Sequence, residues 1–239
     1  MSHVDNKQPK LGFTLIELML AMTFISILLI AIAVTIIQVS NIYNHGITLK
    51  EVNQAGRNIS EDLQRTMRSG SQFDISVDST RYLQQDDWGG RLCLGNYSYI
   101  WNYGKAININ NPDGPSLNVY TSNIGNPIRF LKIVDGSFEY CSNPSKAIDP
   151  LGATDLLDVG DHNLALHGFV VTSGDNAGDN KTGERLYSVR FTIGTNDLDA
   201  LNYSDNSVDC KPPGTAGSDP SYCSVQEFNI VIRVGNAVK

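Results

Sequence analysis

Basic residues are scarce in this chain: 18 Lys plus Arg stand against 25 Asp plus Glu, a formal net charge of −7. Nonspecific nucleic-acid binding, which rests on neutralising phosphates, is disfavoured. Arg57, Arg65 and Arg68 do cluster, but beside Glu61 and Asp62 they read as a solvated helix face rather than a DNA site. The chain has only four cysteines and four histidines. No cysteine pair has C-x-x-C spacing and no histidine flanks one, so zinc binding is not indicated. Internal repeats, low-complexity runs and disordered linkers are absent. A catalytic signature is missing too. His162 and His167 with Asp158 and Asp161, or Ser188 in a strand, are scattered pieces, and two histidines five apart across a strand start point to opposite faces. The chain does not read as an enzyme.

One stretch owes its character to what it omits. Residues 18–37 (LMLAMTFISILLIAIAVTII) hold no charge, no glycine and no proline. Twenty residues at the helical rise are about enough to cross a bilayer. Upstream, Lys7 and Lys10 sit in a polar leader whose only acid is Asp5, so the positive-inside bias keeps the leader cytoplasmic and exports everything after Val39. A cleaved secretory signal fits poorly. The run is longer than a usual apolar core, ends in Gln38, Ser40 and Asn41, and continues into a helical pattern without a small-residue cleavage site. A single-pass anchor fits better, yet it leaves Glu17 at the head of the run. An acid in hydrocarbon costs several kcal/mol unless it is paired.

The leader ends in Lys10-Leu11-Gly12 and is followed by Phe13, Thr14, Leu15, Ile16 and Glu17. This resembles the processing site of type IV prepilins and pseudopilins. The resemblance implies that a prepilin peptidase cuts between Gly12 and Phe13 on the cytoplasmic side and methylates the new amino-terminal phenylalanine. It also gives Glu17 a role, since the amine at Phe13 of one subunit could be neutralised by Glu17 of another inside a bundle of apolar helices. Such a pair is costly to desolvate and costlier to break, so it would act on register and recruitment more than on raw stability. Removing a leader with two lysines and one aspartate would bring the charge to −8.

Beyond the apolar run, Leu49, Val52, Gly56, Ile59, Leu63 and Met67 recur at spacings of three and four, with charged and polar residues between them. This predicts an amphipathic helix. Glu61 and Arg65 stand in the favourable order for an i,i+4 pair, Ser69-Gly70-Ser71 is a stop, and Gly46 and Gly56 weaken the helix locally. A single helix over 13–69 would be roughly 85 Å long at ~1.5 Å per residue. Its first half is expected to pack with other subunits and its second half on its own head. The proline that many major pilins carry about twenty residues after the cut is replaced here by Val34 and its neighbours.

From residue 72 onward, turn residues punctuate short runs rich in Val, Ile, Tyr and Phe, which predicts a β-rich head. Strands are expected over 91–103, 128–134, 137–141, 164–172, 185–193 and 225–234, with Asp135-Gly136 as a hairpin turn. The expected class is α+β and pilin-like: a long amino-terminal helix, apolar then amphipathic, on a mainly antiparallel sheet. The expected divisions are a leader at 1–12, an apolar membrane or filament-core helix at 13–39, an amphipathic helix at 40–71 and a head at 72–239.

Exported topology makes disulfides reasonable. Cys210 and Cys223 would close a loop around 211–221, worth about 3 kcal/mol on a chain-entropy estimate. Cys93 and Cys141 would then form the other pair, although four cysteines allow three connectivities and the sequence does not choose. A carboxyl-terminal disulfide loop also resembles pilins. No cofactor is expected. The one ion candidate is the tip at 175–184, where Asp175, Asp179 and Glu184 offer oxygens of the kind calcium takes, as some pseudopilins do. The spacing is not that of an EF-hand, and hairpin tips collect the same residues for turn chemistry.

The segments Asn53-Gln54-Ala55-Gly56-Arg57 and Glu61-Asp62-Leu63-Gln64-Arg65, with the large head, are similar to W-type minor pilins and J-type pseudopilins. This implies a structural subunit that helps initiate or cap a type IV pilus. Its implied partners are prepilin peptidase, other pilins through the helix, and the inner-membrane assembly platform. It would sit in the cytoplasmic membrane as a single-pass protein with an exported head before entering an extracellular or periplasmic filament. The alternatives are a pseudopilin of type II secretion or competence, and a membrane-anchored extracellular binding module that never polymerises.

Overall fold

A computed structural model describes residues 12, 14–75, 81–85, 88–107, 120–122, 125–143, 148–149, 151–158, 160–174, 185–204 and 207–235. The chain divides into two compact units, one running to Tyr43 and one from Asn44 onward. Both contain part of one helix, α1 (Leu15–Ser69).

In the first unit α1 is apolar on every side, and its residues through Tyr43 are exposed. Its few hydroxyls are satisfied within the helix. Thr23 donates to the Leu20 carbonyl, Ser26 to that of Met22 and Thr35 to that of Ala31, so none of the three needs water. Among the described residues it is the one helix long and apolar enough to cross a membrane.

The second unit is built on the amphipathic part of α1. The buried stripe is Thr48, Val52, Ala55, Gly56, Ile59, Leu63, Thr66 and Met67. Leu49, expected on this stripe, is 38% exposed, and Thr48 takes the inward position at 0%. The helix stops where Ser69-Gly70 was expected to stop it, with the Gly70 N–H turned back to the Met67 carbonyl. Glu61 and Arg65 form no ion pair among the described residues.

The strands follow in order: β1 (Tyr82–Gln85), β2 (Gly89–Leu94), β3 (Tyr97–Asn102), the short helix α2 (Gly104–Ile107), β4 (Phe130–Val134), the short helix α3 (Glu139–Ser142) and β5 (Ala153–Asp155). These five strands form one antiparallel sheet in sequence order. Then come β6 (Leu164–Ser173), β7 (Arg185–Thr195), β8 (Leu201–Tyr203), β9 (Val208–Cys210) and β10 (Val225–Val234). A second antiparallel sheet has the order β10-β7-β6, and β8 pairs with β9. The class is α+β and pilin-like, a long helix packed on mainly antiparallel sheet.

Two local expectations change. The run 91–103 is a hairpin and not one strand. Leu94 pairs with Tyr97 across Gly95-Asn96, and Gly95 takes φ 56° in this two-residue turn. In contrast, Asp135-Gly136 makes no hairpin and 137–141 is not a strand. The Asp135 carboxylate is buried. It accepts from Ser98 Oγ at 2.7 Å and from the N–H groups of Glu139 and Tyr140 at 2.9 and 3.0 Å, capping α3. Burial pushes this carboxyl up, but the donors from Ser98, Tyr140 and Glu139 outweigh it and hold it below the usual range.

One core joins helix to sheets. Val52, Ile59, Leu63 and Met67 pack with Trp101, Phe130, Phe169, Phe191 and Ile232. A polar cluster pins the helix to the first sheet: Lys132 Nζ lies 2.7 Å from Asp62 Oδ1, and the Tyr99 hydroxyl donates to Asp62 Oδ2 at 2.7 Å.

Candidate functional site

At the start of α1, Thr14 and Glu17 form a reciprocal cap. The Thr14 N–H and hydroxyl donate to Glu17 Oε2 at 2.9 and 2.8 Å, and the Glu17 N–H approaches Thr14 Oγ1 at 3.4 Å. This is the capping-box arrangement, in which the first and fourth residues answer each other's unpaired groups. The acid also lies at the positive end of the helix dipole. Within the single chain, then, Glu17 has a local partner that the charge argument from sequence overlooked, although the Thr-x-x-Glu spacing announces it. Glu17 and Thr14 are both exposed, as are Leu15 at 76% and Ile16 at 66%. Gly12 is exposed, and Phe13 lies outside the described residues.

In the second unit the cysteines pair as Cys93–Cys141 and Cys210–Cys223, with Cα atoms 6.3 and 5.9 Å apart, resolving the open connectivity. The first bond ties β2 to α3. The second closes the loop between β9 and β10.

The two histidines have separate jobs, and neither pairs with Asp158 or Asp161 through its ring. His162 Nδ1 lies 2.6 Å from Glu51 Oε2 on α1, while the backbone N–H groups of Asp161 and His162 also reach Glu51. His162 Nε2 is 3.2 Å from Thr48 Oγ1. Hydroxyl, imidazole and carboxylate thus stand in the order of a nucleophile, base and orienting acid. The chemistry fails on access, because Thr48 is fully buried and its hydroxyl already donates to the Asn44 carbonyl. This group clamps the 160–162 segment onto the helix. Burial raises the Glu51 carboxyl, but hydrogen bonds from His162 and Asp161 more than offset it and leave the group below its ordinary value.

His167 occupies a register shift in β6 between Leu166 and Gly168. Its Nε2 faces the Thr195 carbonyl at 3.1 Å and its Nδ1 the Tyr203 hydroxyl at 3.2 Å. Burial pushes its pKa down to about 4, so it is neutral at pH 7, with Nε2–H donating and Nδ1 accepting. Ser188 Oγ donates to Asn229 Oδ1 on the neighbouring strand and has no base bonded to it among the described residues. Asp158 approaches Arg129 at 3.8 Å. Asp175, Asp179 and Glu184 lie outside the described residues. Among the described residues no three His, Cys, Asp or Glu side chains converge as metal ligands.

No protein-family model matches the chain, and neither a curated protein nor a solved structure does.

Proposed function

We propose that this protein is a minor pilin or pseudopilin, a structural subunit that is processed at Gly12 and Phe13 and enters a type IV filament through its apolar helix. The observation that carries the reading is the pairing of the Gly12-Phe13…Glu17 motif with a helix that buries nothing through Tyr43. A helix apolar all round and exposed all round needs lipid or other helices to cover it. A lone anchor would satisfy the apolar surface and the capping box would satisfy Glu17 within it, but neither gives a use for the Lys10-Leu11-Gly12-Phe13 sequence that precedes them.

The capping box supports a two-stage role for Glu17. In a free subunit its carboxylate is answered by Thr14. During assembly, the ammonium at Phe13 of a neighbour offers a full positive charge, and away from water such an ion pair attracts more strongly than the dipoles of the Thr14 N–H and hydroxyl do. Within a packed helix bundle, loss of either charge leaves the other buried and uncompensated, at a cost of about 3–5 kcal/mol. The subunit waits in the cytoplasmic membrane with its head exported, is cut and methylated by prepilin peptidase, and is taken up with other pilins at the inner-membrane platform. It turns over no substrate.

Two measurements test this. Mass spectrometry of the amino terminus should find methylated Phe13, and an intact leader would overturn the processing step. Glu17→Ala should sharply reduce incorporation into filaments, whereas unchanged incorporation would overturn the assembly role of Glu17, and a parent chain found in no filament would favour the anchored binding module. Co-purification with a surface pilus or with a secretion pseudopilus separates the two filament classes, which share this amino-terminal chemistry.

A further inference from the structure

Beside the Cys210–Cys223 loop lies a cavity of about 160 Å³. Sites for drug-sized ligands and cofactors occupy about 300–1,000 Å³. The cavity is half open to solvent, so a ligand would seat one small ring in it and keep the rest outside.

Part of its wall is aromatic. Tyr222 is 47% exposed, yet its hydroxyl accepts from Asn44 Nδ2 at 2.8 Å, so the ring is pinned at one end and still open. The His162 ring lies 6.1 Å away, centroid to centroid. Both its nitrogens are engaged, by Glu51 and by Thr48, which leaves ring carbons as its contribution.

The polar part is made of the carboxylates of Asp197 and Asp219, the amides of Asn163 and Asn196, and Thr195, and Asn196 Oδ1 is a buried acceptor without a hydrogen-bond partner among the described residues. Asp197 spends Oδ1 on the Asp199 N–H, and Asp219 spends Oδ1 on the N–H groups of Ser221 and Tyr222. Their second oxygens, and the side-chain amide of Asn163, have no partner among the described residues. No lysine or arginine lines the cavity.

These features select among ligand chemistries. An anion would meet two carboxylates and no cation. A bare ammonium would answer the carboxylates but leave the Asn163 N–H groups unused, since it accepts no hydrogen bond. A hydroxyl both donates and accepts, and so answers carboxylate and amide alike. A ring with hydroxyls at its rim and C–H bonds on its face also covers an open tyrosine.

We propose that this cavity binds one pyranose ring of a carbohydrate. The site goes beyond the filament reading and stands whether or not the chain assembles.

The test uses the full chain in a zwitterionic detergent without a sugar headgroup, with methyl glycosides of glucose, galactose, mannose and N-acetylglucosamine as probes. Saturation-transfer NMR should show transfer to at least one of them at millimolar concentration, strongest on the C–H groups of one ring face. Tyr222→Ala should weaken that binding at least about tenfold, and Asn163→Ala by about threefold or more. Tyr222→Phe, which keeps the ring, should stay within about threefold of the parent and guards against a folding artefact. The proposal is overturned if no glycoside binds, if Tyr222→Ala binds as the parent does, or if butylammonium binds while the glycosides do not.

Discussion

Gly56 on α1 faces Phe228 on β10 so closely that a methyl group at residue 56 would lie 2.0 Å from the ring's Cζ. Phe228 in turn stacks on Phe191 of β7, with centroids 5.3 Å apart. The helix therefore rests on the second sheet at the one position of its buried stripe that has no side chain. Gly56→Ala should lower stability by about 1–3 kcal/mol despite alanine's better helix propensity, because the ring has a stacked neighbour behind it. Chemical denaturation measures this, and Phe228→Leu in the same chain should recover part of the loss. A stabilised Gly56→Ala variant would show that the contact relaxes freely.

The Glu51–His162 clamp should weaken in acid. The Glu51 carboxyl has its folded pKa below the ordinary value, so its contribution is complete above the unfolded pKa and is lost as pH falls through the folded one. Glu51→Gln should cost about 1–3 kcal/mol at pH 7. Thermal melts of parent and variant should converge as the pH falls below the normal carboxylate range. A constant gap down to pH 3 would exclude the mechanism.

His167 contributes with the same sign in a different window. Its folded pKa of about 4 lies below the unfolded 6.5, so the unfolded chain takes up the proton first as pH falls. Stability from this group is full above pH 6.5 and declines toward pH 4, by at most about 3 kcal/mol. His167→Asn should lose part of that slope between pH 6.5 and 4, read from melting temperature against pH. An identical slope in both chains would show that His167 stays accessible.

Replacing Cys210 and Cys223 together by serine removes the closure of the 211–222 loop. The expected loss is about 3 kcal/mol, or roughly 6–12 °C in melting temperature for a head of this size. Tyr222, which precedes Cys223, should lose its contact with Asn44, and hydrogen exchange near residue 44 should rise. Unchanged exchange there would mean that Asp219 alone holds the loop through its bonds to Ser221 and Tyr222.

The elements with a clean period were legible in the chain. The amphipathic stripe of α1, the long strands β6, β7 and β10, and the stop at Ser69-Gly70 follow from spacing and turn chemistry alone. The errors share a physical cause, which is that one local signal can serve two structures. Gly95-Asn96 sat inside an apolar run and was read through, though a two-residue turn needs no more than that pair. Asp135-Gly136 looked like a hairpin tip, but Ser98, on the neighbouring strand β3 and 37 residues earlier in sequence, holds the aspartate where it caps α3. Thr14 was legible in principle from its spacing to Glu17. Glu51 with His162, and Asn44 with Tyr222, were not, since these partners stand 111 and 178 residues apart and only the fold brings them together.

The disulfide pattern carries a consequence for how the chain matures. The first cysteine bonds to the second and the third to the fourth. For a head that emerges from a pore starting at the side nearest α1, each new even-numbered cysteine finds its native partner as the only thiol still unspent. Correct pairing is then the outcome of simple succession, and a catalyst that shuffles wrong bonds would have nothing to correct.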